Sequence, residues 1–144
     1  MDLLRIARTP PVTIGPRASV LDAVELMSDS GAGAVVMVDA GKAIGIFTAS
    51  DLLRRVVAKG RRLDVTPLAE VVTSPLTVAH ADTACENALG LMVKNHIRHL
   101  PIVDESAHVR GMLSTRHLLR CMVDDLSQEL LSLDSYHSAD GIGG

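Results

Sequence analysis

The chain has 144 residues, enough for one compact unit that buries roughly 68–70% of its unfolded surface. Apolar residues make up 47%, with one Phe (Phe47), one Tyr (Tyr136) and no Trp, so the core must be aliphatic. A formal charge of −3, with acids and bases interspersed, offers no basic face for a nucleic-acid backbone, and without aromatics there is no platform for stacking bases.

The opening MDLLRIARTPP lacks the basic-then-apolar pattern of a secretory signal, and no apolar run approaches the length of a membrane helix, about 18 residues. Two cysteines, Cys85 and Cys121, are too few for a disulfide framework and are expected as reduced thiols in a cytoplasmic protein.

Taken in order, the chain repeats itself. Residues 11–54 and 75–120 align with an offset of 64 at the start, 65 through the middle and 66 at the end. Pro11 matches Pro75, Met27 matches Met92, Asp39 matches Asp104 and Gly45 matches Gly111; Leu52-Leu53-Arg54 recurs as Leu118-Leu119-Arg120. A short helix at Leu3–Ala7 precedes the first repeat. Each repeat then opens on a short strand, Val12–Ile14 or Leu76–Val78. A helix follows whose apolar residues Val20, Ala23, Val24 and Met27, or Cys85, Ala88, Leu89 and Met92, recur at helical spacing. The runs 34–38 (AVVMV) and 100–103 (LPIV) read as strands covered on both faces. Turns at 39–42 and 104–108 reverse the chain into Ala43–Phe47 and Val109–Leu113, and second helices open at Ala49 and Thr115.

Between the repeats, Thr66-Pro67 reads as a helix cap followed by a first-turn proline, giving a second short helix. The last helix is expected to run to about residue 135 on a stripe of Leu119, Met122, Leu126, Leu130 and Leu133, with the tail 137–144 disordered. The expected divisions are 1–60 for the first repeat, 61–124 for the second and 125–144 for the extension.

GIFTASDLLR (45–54) is the stretch that bears on chemistry. A helix N-terminus, the Thr48 hydroxyl and the Asp51 carboxylate can form a nucleotide half-site, the carboxylate accepting both ribose hydroxyls. Thr48-x-x-Asp51 is equally a capping box, and the same pattern stands at Ser19-x-x-Asp22 and Thr83-x-x-Glu86. The segment 95–99 (NHIRH) places His96, Arg98 and His99 at a helix–strand corner, either a cationic clamp for phosphate or a solvated corner. His117 and Cys121 at i, i+4 could be two metal ligands, but two ligands are not a site. No Gly-rich phosphate loop occurs, and neither Cys has an evident basic helper apart from His117 beside Cys121, so the chain reads as having no catalysis of its own.

Two βαββα repeats, each with an apolar strand ending in Asp and a later G-h-h-[TS]-x-x-[DH]-L-L (h apolar), resemble the CBS-domain pair, as does RHLPIVD at 98–104. The resemblance covers about residues 3–124. It implies an α+β fold in which the duplicated repeats pack face to face with pseudo-twofold symmetry, plus the extended C-terminal helix. It also implies two clefts for an adenosyl ligand such as AMP, ADP, ATP, NAD or S-adenosylmethionine. Such a ligand would be regulatory, no cofactor being required, and would signal to a partner protein, with a flat homodimer as the expected assembly. By this likeness Thr48 matches the phosphate-contacting hydroxyl and Asp51 the ribose-binding acid, while Thr13, Ile14, Val35 and Val36 wall the adenine. In the second repeat Ser114 keeps the hydroxyl and Arg116 matches an Arg that often precedes the acid. His117 stands in place of the acid, and a neutral imidazole cannot grip a vicinal diol through two acceptors. With Arg98 and His99 these complete the candidate residues. The rival readings are a constitutive assembly protein with degenerate clefts, and a metal or redox sensor built on His117 and Cys121.

Overall fold

The computed structural model describes the backbone of residues 2–140 and the side chains of residues 2–134. A 3₁₀ turn at Leu3–Arg5 leads into β1 (Thr13–Ile14), α1 (Val20–Ser30), β2 (Ala34–Asp39), β3 (Lys42–Thr48) and α2 (Ala49–Asp51). α2 runs on into a π-helical stretch, Leu52–Val57. After a second 3₁₀ turn at Leu68–Glu70 come α3 (Cys85–Asn95), β4 (His99–Val103), β5 (Val109–Ser114) and α4 (Thr115–Asp140).

In the first repeat β1 pairs parallel with β2, which pairs antiparallel with β3. The second has the β4–β5 hairpin, and a single parallel bridge from Ala79 to Ile102 stands where β1 would be. The expected strand at Leu76–Val78 is therefore not formed as such. That bridge also corrects the repeat alignment. Ile14 pairs with Met37 and Ala79 with Ile102, so the offset is already 65 at the start, and Pro10 rather than Pro11 corresponds to Pro75. Both hairpins carry a register shift at equivalent places, between Met37 and Val38 and between Ile102 and Val103.

Alternation along the strands sorts the apolar side chains onto two faces. Val35, Met37 and Phe47 join Val20 and Ala23 of α1 in the first repeat's core. Leu100, Ile102 and Leu113 join Ala88 and Met92 of α3 in the second. The opposite faces meet in a third cluster, where Ala34, Val36 and Ile46 pack on Met112. The hairpin tips also touch, since Ala43 N–H donates to Ala107 O (3.0 Å). The two sheets thus face each other, as the resemblance to the CBS-domain pair implies.

The leader segments are exchanged between repeats. Leu3, ahead of the first repeat, is fully buried in the second repeat's core, and Leu68, ahead of the second, is fully buried in the first's. Arg8 and Met112 exchange backbone hydrogen bonds (2.8 and 3.0 Å), as Thr73 and Ile46 do (2.8 and 3.1 Å). The glycines shared by the repeats follow from this crossing. A Cβ on Gly45 would lie 2.9 Å from Val72 Cγ2, and one on Gly111 would lie 3.0 Å from Leu4 Cδ2.

Helix ends differ from expectation in three places. The Thr66 hydroxyl donates back to the Arg62 carbonyl, leaving Pro67 as the cap residue without a side-chain bond. α3 starts at Cys85 after an Ala84 cap, and the Thr83 hydroxyl instead accepts from His80 N–H (3.0 Å). α4 continues to Asp140, past the expected end, so only 141–144 of the expected disordered tail falls outside the described residues.

Candidate functional site

β3 delivers Thr48 to the start of α2, and the box with Asp51 closes there. Thr48 N–H donates to Asp51 Oδ2 (3.0 Å), the Thr48 hydroxyl donates to the same oxygen (3.1 Å), and Asp51 N–H donates to Thr48 Oγ1 (3.2 Å). The second carboxylate oxygen turns elsewhere. Oδ1 accepts from the Thr73 hydroxyl (3.2 Å) and faces Arg55 Nε at 3.6 Å. Thr73 lies in the segment entering the second repeat, so Asp51 caps a helix with one oxygen and meets the inter-repeat seam with the other. Its side chain is 12% exposed. The sequence does not single out Thr73, whose importance follows from the leader exchange.

The equivalent corner of the second repeat has the same shape with different chemistry. His117 N–H donates to Ser114 Oγ (3.1 Å), and the Ser114 hydroxyl lies 2.8 Å from His117 Nδ1. The imidazole thus takes the place of Asp51 in a box-like turn, keeping the local structure while removing the carboxylate. His99 pairs across the hairpin with Ser114, and its ring fills the space above Gly33, where a Cβ would lie 3.0 Å from Nε2. Burial, followed by the charges of Arg98 and then His117, holds the His99 pKa below its ordinary value. Arg98, His99, Ser114 and His117 are therefore brought together. Arg116 is exposed on the first turn of α4, and His96 is exposed in the left-handed C-cap of α3 (φ 54°).

The wall residues are placed differently from one another. Thr13 is exposed and Ile14 half-buried on β1, separated from Thr48 by the width of β2. Val35 and Val36 are fully buried, the first in its own repeat's core and the second in the cluster between the sheets. Two surface cavities, of about 610 Å³ around Leu4, His80, Asp82 and Arg110 and about 290 Å³ around Ala43, Ser74 and Leu76, have neither Thr48–Asp51 nor Ser114–His117 in their linings.

The metal and redox constellation gains little from the geometry. Among the described residues no group of three or more His, Cys, Asp or Glu could hold a metal ion. Burial, then the charges of Asp125, Cys85 and Asp124, raise the Cys121 pKa, which is opposite to the shift that makes a reactive or ligating thiolate.

The model of the CBS domain matches residues 3–58 and 68–124, one stretch in each repeat. The chain belongs to the CBS-domain family. Among curated CBS-domain relatives it is 32% identical over 123 residues to the mitochondrial CBS domain-containing protein CBSX3 of Arabidopsis thaliana, covering 82% of this chain and 59% of that one. It is 34% identical over 132 residues to the meiotically up-regulated gene 70 protein of Schizosaccharomyces pombe, covering 92% of this chain and 18% of that one. The chain therefore spans less than two thirds of these relatives. The CBS-domain pair of the protein MJ0100, in complex with 5′-methylthioadenosine and S-adenosyl-L-methionine, superposes with a TM-score of 0.79 at 23% identity, covering 87% of this chain and 98% of that one. That likeness establishes the pair fold. No helix among the described residues is long and apolar enough to cross a membrane.

Proposed function

We propose that the chain is a regulatory module that binds an adenosyl ligand at the Thr48–Asp51 corner and performs no chemistry of its own. The observation that carries this reading is the divided duty of the Asp51 carboxylate. Oδ2 completes the helix cap, whereas Oδ1 is held, among the described residues, by the Thr73 hydroxyl and a 3.6 Å ion pair, contacts that ribose hydroxyls can replace. Because Thr73 belongs to the crossing leader that runs from the first repeat's sheet into the second repeat, a ligand at Oδ1 bears on the connection between the halves. Its differential affinity for two arrangements of the halves would be the signal passed to a partner protein.

The second corner, with Arg98, His99, Ser114, Arg116 and His117, suits the phosphate end of a nucleotide rather than a ribose diol. It is cationic and lacks the acid. AMP, ADP, ATP, NAD and S-adenosylmethionine are the candidates within the adenosyl class. The relatedness to the MJ0100 pair supports the adenosyl class. By family resemblance the module is expected as a flat homodimer.

The test is a thermal melt with each of these ligands and with 5′-methylthioadenosine, for wild type and for Asp51→Asn. Asparagine retains one oxygen for the cap but has lost the second acceptor. A ligand at 100 times its dissociation constant stabilises by about 2.7 kcal/mol. Asp51→Asn is expected to melt close to wild type when unliganded and to lose most of the ligand-induced shift. If no ligand moves the wild-type melt, the regulatory reading fails and a constitutive assembly role, which the His117 replacement favours, takes its place.

A further inference from the structure

Among the described residues, six of the eleven large apolar side chains exposed to solvent lie on one element, α4: Leu119, Val123, Leu126, Leu130, Leu131 and Leu133. Five of them, at 119, 123, 126, 130 and 133, follow a strict four–three spacing, the 3.5-residue period of a coiled-coil seam rather than the broader stripe of a helix lying on a globular core. The helix leaves its own module early. Leu118 is buried and Met122 packs on the second repeat's core, but every residue from Val123 to Asp134 is exposed. Helices in proteins draw most of their stability from tertiary packing of an apolar face, so this uncovered seam calls for a partner.

The charges beside the seam select the partner. With Leu119, Leu126 and Leu133 at d and Val123 and Leu130 at a, the flanking e positions are Arg120, Ser127 and Asp134, and Glu129 is at g. A parallel copy would set Glu129 against Asp134 of the other chain twice, acid against acid. An antiparallel copy sets Arg120 against Asp134 of the other chain twice, in the register that stacks Leu126 on Leu130 and Val123 on Leu133. Its one like-charge contact is Glu129 with its own copy at the centre. From 121 to 134 the helix carries four acids (Asp124, Asp125, Glu129 and Asp134) and no Lys or Arg, which is the wrong polar face for an anionic lipid surface. We propose that α4 pairs with α4 of a second copy as an antiparallel two-helix coiled coil centred near residue 128, with Arg120 and Asp134 fixing its direction and register. This does not depend on the nucleotide reading, and it is a contact separate from any made by the CBS repeats themselves.

The decisive measurement is assembled mass by sedimentation in the full chain, with melting as a control for the module. Leu126→Asp/Leu130→Asp is expected to halve the assembled mass and leave the melt within a few degrees of wild type. An unchanged mass overturns the proposal. Arg120→Asp and Asp134→Arg are each expected to weaken association several-fold, and the double exchange to restore it. Failure of the double exchange to restore association overturns the antiparallel register. Glu129→Lys sharpens the test, because it would relieve the repulsion in a parallel pair but only replace acid with base in an antiparallel one; tighter association in this variant likewise overturns the arrangement. Wild-type chain that stays at the mass of the Leu126→Asp/Leu130→Asp variant while binding vesicles of anionic phospholipid would assign the seam to a membrane surface instead.

Discussion

The imidazole of His99 lies against Gly33 with Arg98 and His117 close by, and burial and those two charges lower its pKa. Between its ordinary value of 6.5 and the lower folded value, the unfolded chain binds a proton that the folded chain refuses. The contribution is therefore fully present above pH 6.5 and is lost as pH falls toward the folded pKa. Melting temperature is expected to fall on acidification from roughly pH 7 to pH 5, and to fall less steeply in His99→Gln. An equal slope in the variant would remove His99 from that account. At the end of α3, His96 holds a left-handed conformation (φ 54°) at the position where α1 uses Gly31 (φ 68°). A non-glycine residue there carries strain of roughly 1–2 kcal/mol, so His96→Gly is expected to raise the melting temperature by a few degrees.

At the scale of elements, the leader exchange makes stability non-local in sequence. Leu68→Ala removes a fully buried side chain from the first repeat's core, although it precedes the second repeat, and is expected to destabilise by about 2–5 kcal/mol. Hydrogen exchange in the mutant is expected to rise first in α1 and β2. A rise confined to the second repeat would contradict the packing. Gly45→Ala drives a Cβ into the stiff, branched Val72 at 2.9 Å, and a loss of about 1–3 kcal/mol is expected from chemical denaturation.

Much of this was legible in the sequence, for physical reasons that also mark the limit. The spacing of Val20, Ala23, Val24 and Met27 and the unbroken apolar run at 34–38 fix helix and strand because period and burial are local. The same pattern shows that Leu3 and Leu68 are apolar but not which core they enter, since that depends on the path of the chain. The Thr48–Asp51 box left capping and binding as alternatives. In the fold the two oxygens of one carboxylate point to different places, a distinction that residue spacing does not carry. Val35 and Val36 illustrate the converse: family likeness puts them beside the adenine, while their burial puts them inside the packed layers.

For the whole molecule, two sheets are held face to face by the cluster of Ala34, Val36, Ile46 and Met112, and are further laced by two crossing leaders. Chains cut between residues 62 and 63 are expected to fold poorly apart, because each piece retains the leader that completes the other. Mixed together, they are expected to recover helical circular dichroism and a cooperative melt. Independent folding of either piece would show that the exchange is incidental.

The crossing of the leaders bears on how such a chain could arise. In this chain the edge strand and the core gap that accept each leader belong to the other repeat. One repeat alone that kept this crossing would close by trading leaders with a second copy, at a rate and extent set by protein concentration. Joining the two copies in one chain turns that trade into an intramolecular event, governed by an effective concentration in the millimolar range for a short connection. On this view the duplication supplied no new contact. It removed dilution as a threat to a contact that already existed, and left each half free to change its corner independently, as Asp51 and His117 have done.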